Sequence, residues 1–300
     1  MLKSIIYMLL ILIIPISVYS QEIRLLPGET LPELHSVQVS ANAFYDSTSG
    51  IYRYTYAVTN ANTNTGAIGH IEIDITKPYG NISLSGDGLV SGQGYLEQSS
   101  KELSVRLAGS IIPVGVSAPK NWVAGVTVRG TASWGATEDT AFIYPGSSTN
   151  QFEMNSRGLP GIRNLAISPD FKQQPVDEAT QENLDRIKTI ENKISYKAKT
   201  IGPTAPPAVF NATTFLDYII NLKHQAASLG WISNSGIVNS LDVKLDNAKK
   251  KLSQGDNSTA KNILNAFIND VEAQVGKHLT SEAYALLKYN ALYLIDNMTK

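Results

Sequence analysis

Ile51-Tyr52-Arg53-Tyr54-Thr55-Tyr56-Ala57-Val58 carries a large side chain at every second position from Tyr52 onward. A period of two is the mark of a strand with one face toward a core, because successive side chains point to opposite sides. Immediately upstream, Asp46-Ser47-Thr48-Ser49-Gly50 supplies turn residues, and before it Val37, Val39 and Ala41 alternate in the same way. Two alternating runs around one short turn predict a β-hairpin.

Working outward, Ile71, Ile73 and Ile75 form a third alternating run, bounded by Lys77-Pro78-Tyr79-Gly80. Ser104 to Leu107, Trp122 to Trp134, Ala141 to Tyr144 and Gly161 to Ser168 are further candidate strands, separated by Gly, Pro and Ser clusters. Seven or so strands between Leu34 and Phe171 predict an antiparallel β-sandwich, a head spanning residues 21–172.

The period changes after the head. Leu184, Ile187, Ile190 and Ile194 recur at helical spacing in a charged stretch, which predicts a linker helix within 173–200. Gly202-Pro203-Thr204-Ala205-Pro206-Pro207 then reads as a stiff connector and a domain boundary, residues 201–210. From Asn211 the spacing is helical throughout. Phe215, Tyr218, Ile219 and Leu222 mark one helix, closing near Gly230. Asn234 or Ser235 caps a second ending at Gly255, Ser258 a third ending at Gly276, and Thr280 a fourth. The expectation for 211–300 is a small antiparallel four-helix bundle.

The N-terminus reads as an export signal. Lys3 precedes an apolar stretch from Ile5 to Val18, and Val18-Tyr19-Ser20 offers a small-residue site with cleavage after Ser20. The stretch is shorter than the roughly 20 residues of a membrane span. Cleavage removes Lys3, taking 25 basic residues to 24 against 26 acidic ones, a formal charge of −2. So balanced a charge gives no electrostatic reason for nucleic acid as a partner. The chain has no cysteine, which excludes disulfides, thiolate metal sites and a cysteine nucleophile. With no further apolar segment after the leader, the expectation is a secreted protein that does not insert into a membrane.

The last ninety residues also carry a family likeness. Ser240-Leu241-Asp242-Val243-Lys244-Leu245-Asp246-Asn247-Ala248, Asn265-Ala266-Phe267-Ile268-Asn269-Asp270-Val271-Glu272-Ala273-Gln274 and Gly276-Lys277-His278-Leu279 occur in that order. Together they resemble the FIMAH domain over about residues 215–295. The resemblance implies a bacterial helical module that accompanies fibronectin type III and immunoglobulin-like modules in secreted and surface proteins. It implies no catalytic residues.

Four groups offer chemistry. His70, Glu72 and Asp74 share one face of the third run, and an imidazole with two carboxylates suits a divalent metal; a solvated face carries the same residues. Tyr52, Tyr54 and Tyr56, with Trp122 and Trp134, offer a platform for sugar rings or a partner surface, although Val58 in the same row points to a core. Asp46 to Gly50, Asp87-Gly88 and Gly255 to Ser258 are oxygen-rich turns for calcium, none with the full acidic loop of an EF-hand. His278 beside Lys277, with His224, completes the set. No other cofactor is expected, and no nucleophile motif is present.

These readings predict a non-catalytic binding or adhesion protein. Its head recognises a partner protein or a polysaccharide outside the cell, and its helical module docks or spaces it. The alternative is a polysaccharide hydrolase or lyase that assembles Glu72, Asp74, Glu138 and Asp139. The residues specify no oligomeric state.

Overall fold

The computed structural model describes residues 25–75, 102–107, 110–126, 130–171 and 180–298. The leader, the Lys77 to Gly80 turn, the Asp87-Gly88 turn and the start of the expected linker helix lie outside the described residues.

Among the described residues, ten strands form two antiparallel sheets packed as a sandwich. They are β1 (Val37–Asp46), β2 (Ile51–Asn60), β3 (Ile68–Asp74), β4 (Glu102–Leu107), β5 (Ser110–Ser117), β6 (Trp122–Val126), β7 (Thr131–Ala136), β8 (Ser148–Ser156), β9 (Leu159–Pro169) and β10 (Tyr196–Thr204). One sheet runs β1-β2-β8-β5-β4 and the other β10-β9-β3-β7-β6. The expected opening hairpin is present, its register running from Val37 opposite Asn60 to Asp46 opposite Ile51. Asp46 holds its turn, accepting the Thr48 N–H at 2.9 Å and the Ser49 hydroxyl at 2.6 Å.

Tyr54, Tyr56 and Val58 from the first sheet meet Ile71, Ile73 and Trp134 from the second in one core. Trp134 packs edge-on to Phe152 of β8 at 6.1 Å between ring centres, and Trp122 to the same ring at 5.0 Å. These pairs bridge the two sheets, and edge-to-face geometry sets the positive rim of one ring against the negative face of the other.

Several expectations need correction. The run from Trp122 to Trp134 is two strands, β6 and β7. Ala141 to Tyr144 is not a strand; a single 3-10 turn at Asp139–Ala141 leads into an isolated bridge between Ile143 and Ile68. The helix within 173–200 runs over Gln181–Ile194 (α1). Most consequential, the connector expected at 201–210 begins as strand. Ile201 to Thr204 complete β10, are buried, and pair with β9, Gly202 opposite Gly161 and Pro203 opposite Pro160. Proline has no N–H, so neither residue of the last pair can donate to the ladder. Side chains take both carbonyls instead. Arg163 donates from Nη2 to the Pro203 oxygen, and Asn290 donates from Nδ2 to the Pro160 oxygen at 2.8 Å.

Asn290 belongs to the helical part, which comprises α2 (Ala212–Ser228), α3 (Ser235–Ser253), α4 (Asn257–Gln274) and α5 (Ser281–Asn297). The caps are Asn211, Asn234, Asp256 and Thr280, each accepting an N–H from the first helical turn. Asp256 thus replaces the expected Ser258, since a carboxylate two residues earlier meets the Thr259 N–H at 3.1 Å. Gly230, Gly255 and Gly276, with φ near +75°, close the first three. No helix among the described residues is long and apolar enough to cross a membrane.

The bundle does not hang free. α5 packs against β1, β9 and β10 as well as α2 and α4, and its residues are buried on nearly every side. β1 is the outermost strand of its sheet, with one row of backbone groups lacking a neighbouring strand. Glu282, 6% exposed, reaches that row and accepts the Ala41 N–H at 2.6 Å. Tyr289 sits edge-on to Tyr52 at 5.4 Å beside it.

Candidate functional site

The aromatic residues proposed as a platform are core. Tyr52, Tyr54, Tyr56, Trp122 and Trp134 are all less than 9% exposed, so none offers an open ring face to a ligand. Their row faces inward because Val58 and the Trp134 contact fix that side of β2. Four of the five polar tips are satisfied locally. Tyr54 donates to the Gly158 oxygen at 2.8 Å, Tyr56 to Ile201 at 3.0 Å, Trp122 to Ala141 at 3.0 Å and Trp134 to Ser117 at 2.8 Å.

Burial pushes the phenols of Tyr54 and Tyr56 above their ordinary range, and burial with the neighbouring Tyr45 does the same to Tyr52. An unfolded tyrosine loses its proton at about pH 10. The folded state keeps these protons longer, so the stability they contribute is fully present below about pH 10 and is lost as pH rises. Tyrosinate absorbance is therefore expected to leave these three of the 14 tyrosines untitrated until the fold melts in alkali. Smooth titration of all of them near pH 10, with circular dichroism unchanged, contradicts this placement.

His70, Glu72 and Asp74 lie on the outer face of β3, as the alternation predicts, while Ile71 and Ile73 point inward. His70 Nε2 is 3.1 Å from Glu72 Oε1 and 3.2 Å from the Ser133 hydroxyl. Asp74 instead accepts Asn164 Nδ2 at 3.5 Å, one row along the sheet. The metal expectation is therefore corrected: among the described residues no three His, Asp or Glu side chains are placed to hold an ion. A groove of about 670 Å³ runs beside Glu72 and Asp74 toward Lys197 and Lys199 of β10. The calcium turns within the described residues are already used, since Asp46 and Asp256 spend their carboxylates on their own turns. In the bundle, Lys277 donates to the Ala273 carbonyl at 3.0 Å at the end of α4, and His224 lies 3.6 Å from Asp242.

The site that the fold builds lies at one end of the sandwich. A cleft of about 780 Å³ is walled by Gly28 and Thr30 to Glu33, floored by Thr65 to Ala67, and closed by Asp139, Phe142, Tyr144 and Asp170. Each wall has a specific brace. Ile143 is 1% exposed and exchanges two backbone hydrogen bonds with Ile68, which leaves its neighbours Phe142 and Tyr144 directed away from the core. Tyr144 stays 48% exposed, its ring centre 6.4 Å from that of Phe142 and its hydroxyl bonded to the Asp139 carbonyl. Buried Asn60 donates to the Gly66 and Ile143 carbonyls, and Asn64 donates to Asn60 and Ser36. Gly66 has no side chain for a reason: a Cβ there falls 2.8 Å from Pro169 and 2.9 Å from Pro32, where three segments converge. The outer wall is pinned by Glu29, whose fully buried side chain pairs with Arg186 of α1 at 2.7 Å.

The cleft thus combines two aromatic rings, the carboxylates of Glu33, Asp139 and Asp170, and the hydroxyls of Thr30 and Thr65. Rings supply flat apolar area, and the polar groups accept or donate hydrogen bonds at fixed positions. Of the cleft residues, only Asp139 is a candidate by sequence. Phe142 and Tyr144 fall inside the expected strand Ala141 to Tyr144, although an isoleucine between two aromatics just before Pro145-Gly146 places both rings on one side of the chain.

Fold and cleft define an antiparallel β-sandwich protein with a cleft at one end and a helical bundle docked along one edge. Residues 216–296, from within α2 to within α5, match the family model of the FIMAH domain, as the sequence likeness over about 215–295 implied. No curated protein matches the chain.

Proposed function

We propose that this is an exported, non-catalytic protein that binds a polysaccharide outside the cell in the cleft at the end of its sandwich. The observation that carries the reading is the exposed Tyr144 ring beside Phe142 in a braced cleft with hydrogen-bonding groups on three sides. A sugar ring presents an apolar face edged by hydroxyls, and such a cleft complements both. The leader-like N-terminus and the company implied by the FIMAH likeness support an extracellular setting. In this reading the helical module is a fixed part of the head rather than a free spacer, because α5 shares its buried surface with β1, β9 and β10.

The full-length mature protein tested on a polysaccharide array is expected to retain a subset of glycans. Tyr144→Ala is expected to weaken the best of them roughly tenfold, the loss of one stacked ring. Retention that is indifferent to Tyr144, or a protein partner competing at the cleft with no glycan bound, overturns the assignment.

A hydrolase is the second reading, favoured by one observation: Glu33, Asp139 and Asp170 share this cleft. Glu72 and Asp74 lie on the other groove, so the four acids expected to assemble do not line one cleft. Glycoside hydrolysis needs a carboxyl pair across the scissile bond. Release of reducing ends that Asp170→Asn abolishes makes the cleft an active site.

A further inference from the structure

We infer that Lys223 and Asp242 condense into an amide, a covalent tie between α2 and α3 made from the chain's own side chains. Lys223 is fully buried, the only lysine so placed among the described residues. Leu222 and Ala226 of α2 and Leu241 and Leu245 of α3 are buried with it. A lysine is rarely sunk this deep, because an ammonium carries three donors that water otherwise serves. Among the described residues its hydrogen-bond partner is Asp242 alone, through Oδ1. Other lysine pairs of the bundle differ. Lys244 with Asp270 is 28% exposed and Lys249 with Asp217 44%, so water reaches the donors that their carboxylates leave over.

The same arrangement sets up a reaction. Amine and carboxyl are held in contact by two helices that share a core, and groups fixed in this way react as if at very high concentration. Lys223 Nζ attacks Asp242 Cγ. The C–N bond forms, one C–O bond breaks, and two ammonium protons leave with that oxygen as water. An ammonium and a carboxylate become one amide and one water, so atoms and charge balance and no oxidant or cofactor is used. His224, mostly exposed, holds Nε2 3.6 Å from Asp242 Oδ1 and passes a proton to the departing oxygen. Asp242 is itself partly exposed, which gives the water a way out. The product removes two charges from a place where burying them is costly.

The test is the mass of the full mature chain, measured in denaturant on fresh protein and again after incubation in the folded state. The expected mass is one water below that of the sequence. Trypsin is expected to spare Lys223 and to release a branched peptide that contains both residues. Lys223→Arg and Asp242→Ala are expected to return the full mass. Asp242→Asn is expected to give the same branched peptide by losing ammonia in place of water, which marks the bond as this amide. His224→Gln is expected to slow the loss without changing the product. The full sequence mass in the parent chain, both fresh and incubated, overturns the inference and leaves a buried ion pair. A lost water that persists in Lys223→Arg places the dehydration elsewhere and overturns it as well.

Discussion

Gly161→Ala is expected to destabilise the head by roughly 3 kcal/mol or more. Gly161 lies on β9 opposite Gly202 of β10, and the side chain of Thr204, two residues on, leans across it. A Cβ at position 161 falls 2.1 Å from Thr204 Oγ1 and 2.9 Å from its Cβ. Rotating Thr204 relieves the first contact but not the second. Thr204 is fully buried, so it has no solvent to move into. Gly158 meets the same residue, its added Cβ falling 2.9 Å from the Thr204 nitrogen. The strain therefore passes into the β9–β10 pairing. Thermal unfolding is the measurement, and Thr204→Gly in the Gly161→Ala background is expected to recover most of the loss. A melting temperature within about two degrees of the parent shows that β10 is not seated as described.

Asn290→Ala is expected to cost about 2 to 4 kcal/mol, and Glu282→Ala about 1 to 3. Both are on α5, and both serve backbone groups of the sandwich that no strand can serve. Asn290 is fully buried, and its amide is the donor to the Pro160 carbonyl, whose strand partner Pro203 has no N–H to give. Alanine leaves that oxygen dry and unmatched, with a cavity beside it. Glu282→Ala strips the Ala41 N–H of its acceptor at the open edge of β1. Glu282→Gln keeps an oxygen in place and is expected to cost less, which separates loss of the hydrogen bond from loss of charge. Amide exchange at Ala41 is the sharper readout. It is expected to accelerate in Glu282→Ala and in Asn290→Ala, since undocking α5 bares the edge. Unchanged exchange in both variants contradicts a fixed junction.

Much of this architecture was legible because its elements are periodic. The β1–β2 hairpin and β3 announce themselves by alternation, and the helices by caps and closing glycines. β8 escaped because Ser148-Thr149-Asn150-Gln151 is polar, and its bulge, with Gln151 at φ +71°, breaks the alternation that Phe152 and Met154 otherwise show. β10 escaped for a more instructive reason. Gly202-Pro203 is turn chemistry taken alone, and only the facing Gly161 and Pro160 make it a strand, a fact of pairing rather than of local composition. The same limit applies to the cleft. Phe142, Asp170 and Glu33 are far apart in the chain, and they meet only because Gly66 lets Pro32 and Pro169 close on it. Tyr52, Tyr54 and Tyr56 fit either face by residue type, and Val58 in the same row is what points them to the core, where the structure has them.

The service that α5 gives to the sandwich bears on how such a module travels between proteins. A glutamate and an asparagine sunk into a helix are burdens wherever no strand edge or proline-blocked carbonyl waits for them. Grafted onto a different head, this bundle is expected to keep its leucine-lined interior yet require new residues at 282 and 290. Between relatives, those two positions then record the neighbour, and the rest of the helix records the fold.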